Sequence, residues 1–384
     1  MHIAFLTPEY PHDKVTAAAG IGTTVKNLAL ALSQEGIRVS VFIYGQTSSE
    51  IFNENGINIH LISSKKYRFF TWYHYRKHLQ NYINSYIASD KIDLFEAPDW
   101  TGITAFMNIN SPLILRFHGT DAYFCHLEKR SQKLKNFLLE KWAIQKANAY
   151  ITPTDFAGKI TQHIFRIKRK TIQIIPSGLS LEQFNNATPT AFQKGMLLYI
   201  GTIIRKKGVL ELPLIFEKVL EECPEAELII IGSDSYDLKT NSESTWLLLQ
   251  NALNGKLISR VKYLGKVPYQ QVQEYIKKAN VCVFPTFAET QGMVTIESMA
   301  MNKSVVNSNI GWAQEVIEDN VNGFLVHPKN HDVYARKIIE LIQNEELNFA
   351  IGKAAREKVV NDFDIQKLAK KNSEYYQLII KQEK

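Results

Sequence analysis

Cysteine is scarce. The 384 residues hold three, Cys125, Cys223 and Cys282, scattered and odd in number. That excludes a disulfide framework and a cysteine-rich metal site, and it points to a reducing compartment. Long apolar runs are missing too: no uninterrupted stretch approaches the roughly 20 residues that span a bilayer. The opening MHIAFLTPEY has neither the basic nor the long apolar region of a secretory signal. The expectation is a cytoplasmic protein, at most peripheral to the inner face of a membrane. No short repeat, low-complexity tract or nucleic-acid-binding module is visible. The net charge of +7 is therefore read as suiting phosphate ligands or an anionic membrane surface, and not nucleic acid. A DxD-like carboxylate pair for a metal-bound diphosphate is also missing, so neither a metal nor a cofactor is expected.

What is present is a rhythm. HIAFLT reads as a strand, TTVKNLALALSQEG as a helix closed by Gly36, and RVSVFIY as a second strand. DLFEAP, PLILRFHG, AYITPT and IQIIPSG continue the strands, with helix-like stretches between most of them. The rhythm restarts with MLLYIGT, AELIIIGS, VKYLG, VCVFPT, SVVNSN and GFLV. Such alternation marks a parallel sheet covered on both faces, and 45% apolar residues are ample for two cores. The reading is α/β: two doubly wound, Rossmann-like domains, residues 1–180 and 181–362, facing a central cleft. Their boundary falls in the Pro-, Gly-, Ser-, Thr- and Asn-rich segment 176–195. The charged amphipathic helix 363–384 is expected to pack back on the first domain.

Ligands of open parallel sheets bind beyond the carboxyl ends of the strands, so the loops there carry the functional reading. In AAAGIGTTVKNL, Gly20 and Gly22 precede a helix, where a backbone can approach a phosphate or a sugar closely. No third glycine follows at Thr23-Thr24-Val25, which counts against an NAD-dependent oxidoreductase. In YIGTIIRKKGVLEL a strand ends at Gly201, and Arg205, Lys206 and Lys207 form a compact positive cluster suited to a diphosphate. In LRFHGTDAYF, His118 ends an apolar strand, where it can donate to a ligand oxygen or carry a proton. In VCVFPTFAETQGMVTIESMA, Glu289 lies on a loop, Gln291, Gly292 and Met293 at a helix start, and Glu297 just over one turn inside. One ligand can meet Glu289 with one end, the amides with its middle and Glu297 with its other end. A nucleotide sugar has that shape.

With these residues in place the chain resembles, over nearly its whole length, the family four retaining glycosyltransferases of the GT-B fold. The most specific piece is the Glu-(seven residues)-Glu signature, Glu289 to Glu297 within PTFAETQGMVTIESMA. GTIIRKKG looks like the family's phosphate-binding turn and puts Lys207 on the lysine before its glycine. Thr202 stands where many members have an arginine, and Arg205 is the substitute. AGIGTTVKNLALAL resembles the N-terminal glycine loop, with Ala19 where a first glycine is common. FHGTD places His118 on the cleft histidine, and PSGLSLEQF resembles the interdomain segment, with Ser177 and Ser180 replacing the usual Asn and Asp. Gln291 replaces a frequent phenylalanine.

The resemblance implies that Glu289 contacts donor-sugar hydroxyls and Glu297 the ribose. It implies a hexosyltransferase that acts with retention and without metal, from a UDP- or GDP-sugar bound by the C-terminal half. The acceptor, a glycan or lipid-linked hydroxyl, falls to the N-terminal half, in cell-surface polysaccharide or glycoconjugate synthesis. Lys207, Arg205 and the amides near Gly292 then stabilise the leaving diphosphate, and His118 positions the sugar. A nucleotide-sugar epimerase and a non-catalytic sugar-nucleotide-binding protein remain as alternatives; a phosphorylase is disfavoured because no cofactor-lysine context is evident.

One stretch stands outside these motifs. KKYRFFTWYHYRKHLQNYINSY, residues 65–86, mixes aromatics with cations. On an anionic membrane, Arg68, Arg76 and Lys77 would face the headgroups and Phe69, Phe70 and Trp72 would sit among them. FRIKRK, residues 165–170, would add to such a face. The plainer reading is a helix covering the first sheet.

Overall fold

The computed structural model describes residues 1–168 and 171–383, so Arg169 and Lys170 of FRIKRK lie outside the described residues. The chain divides into two units, Met1–Ser180 with Asp364–Lys384, and Leu181–Phe363.

The first unit holds strands β1 (His2–Thr7), β2 (Arg38–Gln46), β3 (Glu50–Glu54), β4 (Ile57–Ser63), β5 (Leu94–Pro98), β6 (Leu113–Arg116), β7 (Ala149–Thr152) and β8 (Ile172–Ile174). They form one sheet in the order β3-β4-β2-β1-β5-β6-β7-β8. Its helices are α1 (Gly20–Gln34), α2 (Thr71–Asp90), α3 (Asp121–Glu128), α4 (Leu134–Lys146) and α5 (Asp155–Phe165). All neighbouring strands run parallel except β3 and β4, an antiparallel hairpin turned at Asn55-Gly56. A parallel strand is buried on both faces, and β1 feeds two cores by alternation. Ile3 and Phe5 pack with Val25 and Leu28 of α1, while Ala4 and Leu6 pack with Leu79 of α2 and Ala143 of α4.

The second unit holds β9 (Met196–Ile200), β10 (Glu227–Ile231), β11 (Val261–Tyr263), β12 (Val281–Phe284), β13 (Ser304–Asn307) and β14 (Phe324–Leu325). They make an all-parallel sheet in the order β11-β10-β9-β12-β13-β14. Helices α6 (Leu212–Glu222), α7 (Thr245–Ala252), α8 (Gly255–Ile258), α9 (Tyr269–Lys278), α10 (Met293–Ala300), α11 (Gly311–Gln314), α12 (His331–Gln343) and α13 (Glu345–Asp362) connect the strands and follow the sheet. The winding reverses between β9 and β12, and the loops leaving those two strands flank the crevice where doubly wound sheets take ligands.

The last helix, α14 (Ile365–Gln382), belongs to the first unit. Its Leu368, Ala369, Tyr376 and Ile379 join the core beneath α1. A buried charge cluster fixes it further. Arg116 Nε donates to Glu96 Oε1 at 2.6 Å, and its Nη2 donates to Glu96 Oε2 at 3.0 Å and to Asn372 Oδ1 at 2.6 Å. The Tyr376 hydroxyl donates to Glu96 Oε2 at 2.6 Å. Two strand charges and two α14 side chains thus satisfy one another out of water.

Removing one member of a buried pair leaves the other uncompensated. Arg116→Met is expected to lower the unfolding free energy by about 3–5 kcal/mol. The double variant Glu96→Leu/Arg116→Met is expected to lose less than that single one. Guanidinium unfolding followed by fluorescence decides it; a double variant as unstable as the sum of its singles would refute the pairing.

Candidate active site

In the second unit β9 ends at Gly201, and a single turn, Arg205–Lys207, follows before Gly208. Gly208 has φ +70, and a Cβ on it would lie 1.6 Å from the Pro285 carbonyl oxygen. Only glycine permits both the left-handed backbone and that approach. Because the loops touch there, the Lys206 carbonyl accepts the N–H groups of Phe287 at 2.9 Å and Ala288 at 3.2 Å. The chain next reaches Glu289, whose Oε2 is in contact with Lys207 Nζ as an ion pair. Two residues widely separated in sequence become one group. Burial, and then the Lys206 charge, lower the Lys207 pKa; the Glu289 carboxylate works the other way, towards the ammonium.

Arg205 is fixed otherwise. Its Nε and Nη2 donate to Asp237 Oδ1 and Oδ2, each at 2.8 Å. Asp237 is buried and also accepts the Thr240 amide at 3.0 Å and hydroxyl at 2.7 Å. The Arg205 hydrogen bond leads in pulling the Asp237 carboxyl down to about 2. The Arg205 fork therefore ties the loop after β9 to the one after β10, and two of its donors face protein.

Beyond Glu289, Gln291 is buried, and Gly292 (φ +82) precedes α10, which begins at Met293. A Cβ on Gly292 would lie 2.8 Å from the Trp312 ring, so the helix start rests on that indole. The Thr295 N–H turns back to the Gly292 carbonyl at 3.0 Å, and the positive end of the helix at Gly292 and Met293 favours an anion. Glu297 is buried inside α10, and the Tyr269 hydroxyl donates to its Oε1 at 2.8 Å. Burial pushes the Glu297 carboxyl up to about 7, with the Tyr269 bond pulling the other way.

The first unit holds His118 just past β6. Its backbone N–H donates to Asp99 Oδ1 at 2.9 Å, and the Gly119 N–H donates to Oδ2 at 3.3 Å. Glu140 takes the next pair, the N–H groups of Asp121 at 2.9 Å and Ala122 at 3.2 Å. Two buried carboxylates therefore grip the 118–122 loop from within the fold. Burial, then the Arg116 charge, lower His118 to about 3. Its ring is neutral near pH 7 and serves as a hydrogen-bonding group. Gly20 opens α1, and the Gly22 amide donates to Glu9 Oε1 at 3.1 Å. That helix start already carries a carboxylate of the chain's own, which opposes an incoming phosphate.

The structure thus brings Gly201, Arg205, Lys207, Glu289, Gln291, Gly292, Met293 and Glu297 to the two loops at the winding reversal of the second sheet. His118, Gly20 and Gly22 lie in the first unit. Sequence reasoning missed Tyr269, Asp237, Trp312, Glu9, Asp99 and Glu140. Asp99 had a signal, its place directly after a strand in EAPDW; the others are joined to the site through partners remote in sequence. Among the described residues, no group of three or more His, Cys, Asp or Glu is arranged to hold a metal ion.

Two family models match the chain. The Glycosyltransferase Family 4 model covers residues 18–183, and the Glycosyl transferases group 1 model covers residues 182–358. An uncharacterized glycosyltransferase of Methanocaldococcus jannaschii is 26% identical over 98% of this chain and 98% of its own. The capsular polysaccharide biosynthesis glycosyltransferase CapM of Staphylococcus aureus is 28% identical over 64% of this chain and 66% of its own. Among solved structures, Anabaena HepE in complex with UDP and glucose matches with a TM-score of 0.72 at 17% identity, over 98% of this chain and 99% of that one. Likeness at that identity carries the fold.

Gly208→Ala is expected to cost about 3 kcal/mol or more, from a left-handed backbone combined with overpacking. Gly20→Ala, where an added Cβ meets nothing within 4 Å, is expected to stay within about 0.5 kcal/mol of wild type. Denaturant unfolding of both variants checks this; equal effects would remove the close approach as a constraint.

Proposed function

Since the chain belongs to the family 4 glycosyltransferases, with a group 1 second half, we propose that it moves a hexose from a UDP- or GDP-sugar to a hydroxyl of a glycan or lipid-linked acceptor. The transfer proceeds with retention at the anomeric carbon and without a metal, in the making of a cell-surface polysaccharide or glycoconjugate. The observation that carries this reading is the Lys207–Glu289 pair set beside the α10 start, with Glu297 buried behind it. A cation, the amides of a helix start and two carboxylates supply what a nucleotide sugar needs in sequence: hydroxyl acceptors, diphosphate donors, hydroxyl acceptors again. A relative named for capsular polysaccharide biosynthesis and a structural neighbour holding UDP and glucose support the same direction.

In this reading Glu289 accepts hydroxyls of the hexose and Glu297 those of the ribose. Lys207 turns from Glu289 to the diphosphate as the donor binds. As the sugar–phosphate bond breaks, negative charge grows on the leaving diphosphate. Lys207 and the amides of Gly292 and Met293 stabilise it, and Arg205 holds their loop in place. Gln291 and Gly201 shape the backbone around it. His118, neutral, hydrogen-bonds sugar hydroxyls and carries no proton. The acceptor belongs to the first unit and the donor to the second. The protein works in the cytoplasm, at the inner face of the membrane where a lipid-linked acceptor is found.

Three outcomes test this. Lys207→Ala should lower turnover about a hundredfold or more, and activity should persist in EDTA; a strict need for Mg²⁺ or Mn²⁺ would overturn the cation-for-metal reading. Glu289→Gln should depress transfer while UDP or GDP binding is kept, whereas Glu297→Gln should weaken the nucleotide itself; identical titrations of the two variants would sink both roles. The third concerns pH. The ionised Glu297 accepts ribose hydroxyls, and its pKa near 7 means that nucleotide affinity falls as pH drops through 7, by at most about tenfold per pH unit. Calorimetry from pH 8 to 5.5 should find that the fall in affinity towards low pH is smaller in Glu297→Gln than in wild type, since Lys207 and the nucleotide's own phosphate titrate in both; equal pH profiles would sink the role.

A further inference from the structure

The basic, aromatic stretch of residues 65–86 does not act as one unit. Arg76 is buried. Its Nη1 donates to the Trp72 carbonyl at 2.8 Å, and its Nη2 donates to those of Thr101 and Gly102, each at 3.3 Å. This corrects the expectation that Arg76 faces headgroups: it closes the fold under α2. The residues before α2 do the opposite. Phe69 is 65% exposed and Phe70 67% exposed. Phe70 sits at φ 48 and ψ 42, a left-handed conformation that bulky residues rarely adopt, and its ring is held towards water. Conformations of this kind cost stability and persist where the surroundings impose them.

A second element completes the surface. On α4, Leu134 in the first turn is 70% exposed and Trp142, two turns on, 39%. The two elements are joined ring to ring: Trp72 lies 5.5 Å from Phe106, and Phe106 lies 4.6 Å from Trp142. Lys135 Nζ stands 5.3 Å over the Trp72 ring. A shallow hollow of about 430 Å³ is lined by Trp72, Leu134, Lys135, Leu138, Leu139 and Trp142. Around this apolar ground the exposed charges are of one sign: Lys65, Lys66, Arg68, Lys133 and Lys135. Residues 65–89 contain no Asp or Glu, and residues 129–154 contain only Glu140, which is buried on backbone amides. The acids next along the chain are Asp90, Asp121, Glu128 and Asp155; Asp121 and Glu128 are paired with Arg130, and Asp155 with Lys159 one turn on.

We infer that the surface formed by residues 65–72 and the first turns of α4 docks this protein on an anionic lipid bilayer. Exposed aromatics ringed by cations suit the headgroup level, where amphipathic rings are at home and lysines meet anionic lipid. A second copy of the same surface is a poor occupant, because it would set like charges face to face. The inference deepens the proposal of a lipid-linked acceptor, but it is read on vesicles alone, so it can fail while the transfer reaction stands.

The test is sedimentation of the full chain with vesicles of phosphatidylcholine, alone or mixed with phosphatidylglycerol, at low and high salt. Wild type is expected to pellet with the anionic vesicles only, and high salt should remove most of the binding. Lys65→Gln/Lys66→Gln/Arg68→Gln should weaken it roughly a hundredfold, from about fivefold per cation. Phe69→Ser/Phe70→Asn should also weaken it; Asn tolerates the left-handed backbone at 70, and an unchanged unfolding midpoint confirms the fold. Lys370→Gln/Lys371→Gln, exposed on α14 over the opposite core, should bind as wild type does. Equal pelleting with neutral vesicles, or equal loss in the α14 variant, would overturn the inference. So would binding to heparin with no gain from a bilayer, which would assign the surface to a soluble acidic polymer.

Discussion

Lys207 reaches Glu289 because nothing projects from Gly208. The Pro285 carbonyl occupies the space where a side chain would begin, so the loops leaving β9 and β12 can share backbone hydrogen bonds through Lys206. The Arg205–Asp237 fork adds the loop after β10. Three loops at the ends of neighbouring strands are thereby locked together by the protein's own contacts. Groups held this way need little reorganisation when charge develops, which is the condition under which a donor or cation is worth most to a transition state. For the loop backbones the conformational restriction is met during folding; in the proposed reaction the Lys207 side chain still turns as the donor binds.

The charges follow a related economy of space. In the second unit the two carboxylates are given unlike partners: Glu289 has an ammonium, Glu297 a phenol. An ion pair tolerates partial burial because the charges cancel; a lone buried carboxylate against a neutral hydroxyl is pushed towards its protonated form, as Glu297 is. In the first unit one residue serves two ends. Arg116 holds α14 through Glu96, Asn372 and Tyr376, and the same positive charge, after burial, lowers His118. The clamp that secures the end of the chain thus also keeps the neighbouring imidazole neutral.

Much of this was legible in the sequence because it is local. Strand alternation, the Glu289-to-Glu297 spacing and the glycine after RKK all lie within short windows, and the structure finds the strands where the periodicity put them. The hairpin of β3 and β4 was passed over although Asn55-Gly56 announces such a turn. The rest depends on distant partners. Arg76 and Lys77 stand side by side in the text, yet the first is buried because carbonyls 25 and 26 residues away receive it. Tyr269 reaches Glu297 across 28 residues and has no spacing of its own to mark it. The Gly22 amide reads as an anion site until Glu9, on the loop before it, is seen to fill that role.

The grip on the 118–122 loop explains why acids stand where amides of the same shape would seem cheaper to bury. Asp99 and Glu140 each receive two backbone N–H groups. A carboxylate can do this because both its oxygens only accept; a carboxamide offers one acceptor and one donor, and the donor would face a second N–H. Burial raises Asp99 to about 7, and it raises Glu140 as well, so the ionised forms are held against desolvation and against each other. The four amides offset that cost. They also set its direction: the loop that presents His118 is tightest when both acids are ionised, and protonating either one puts an O–H where an N–H already points.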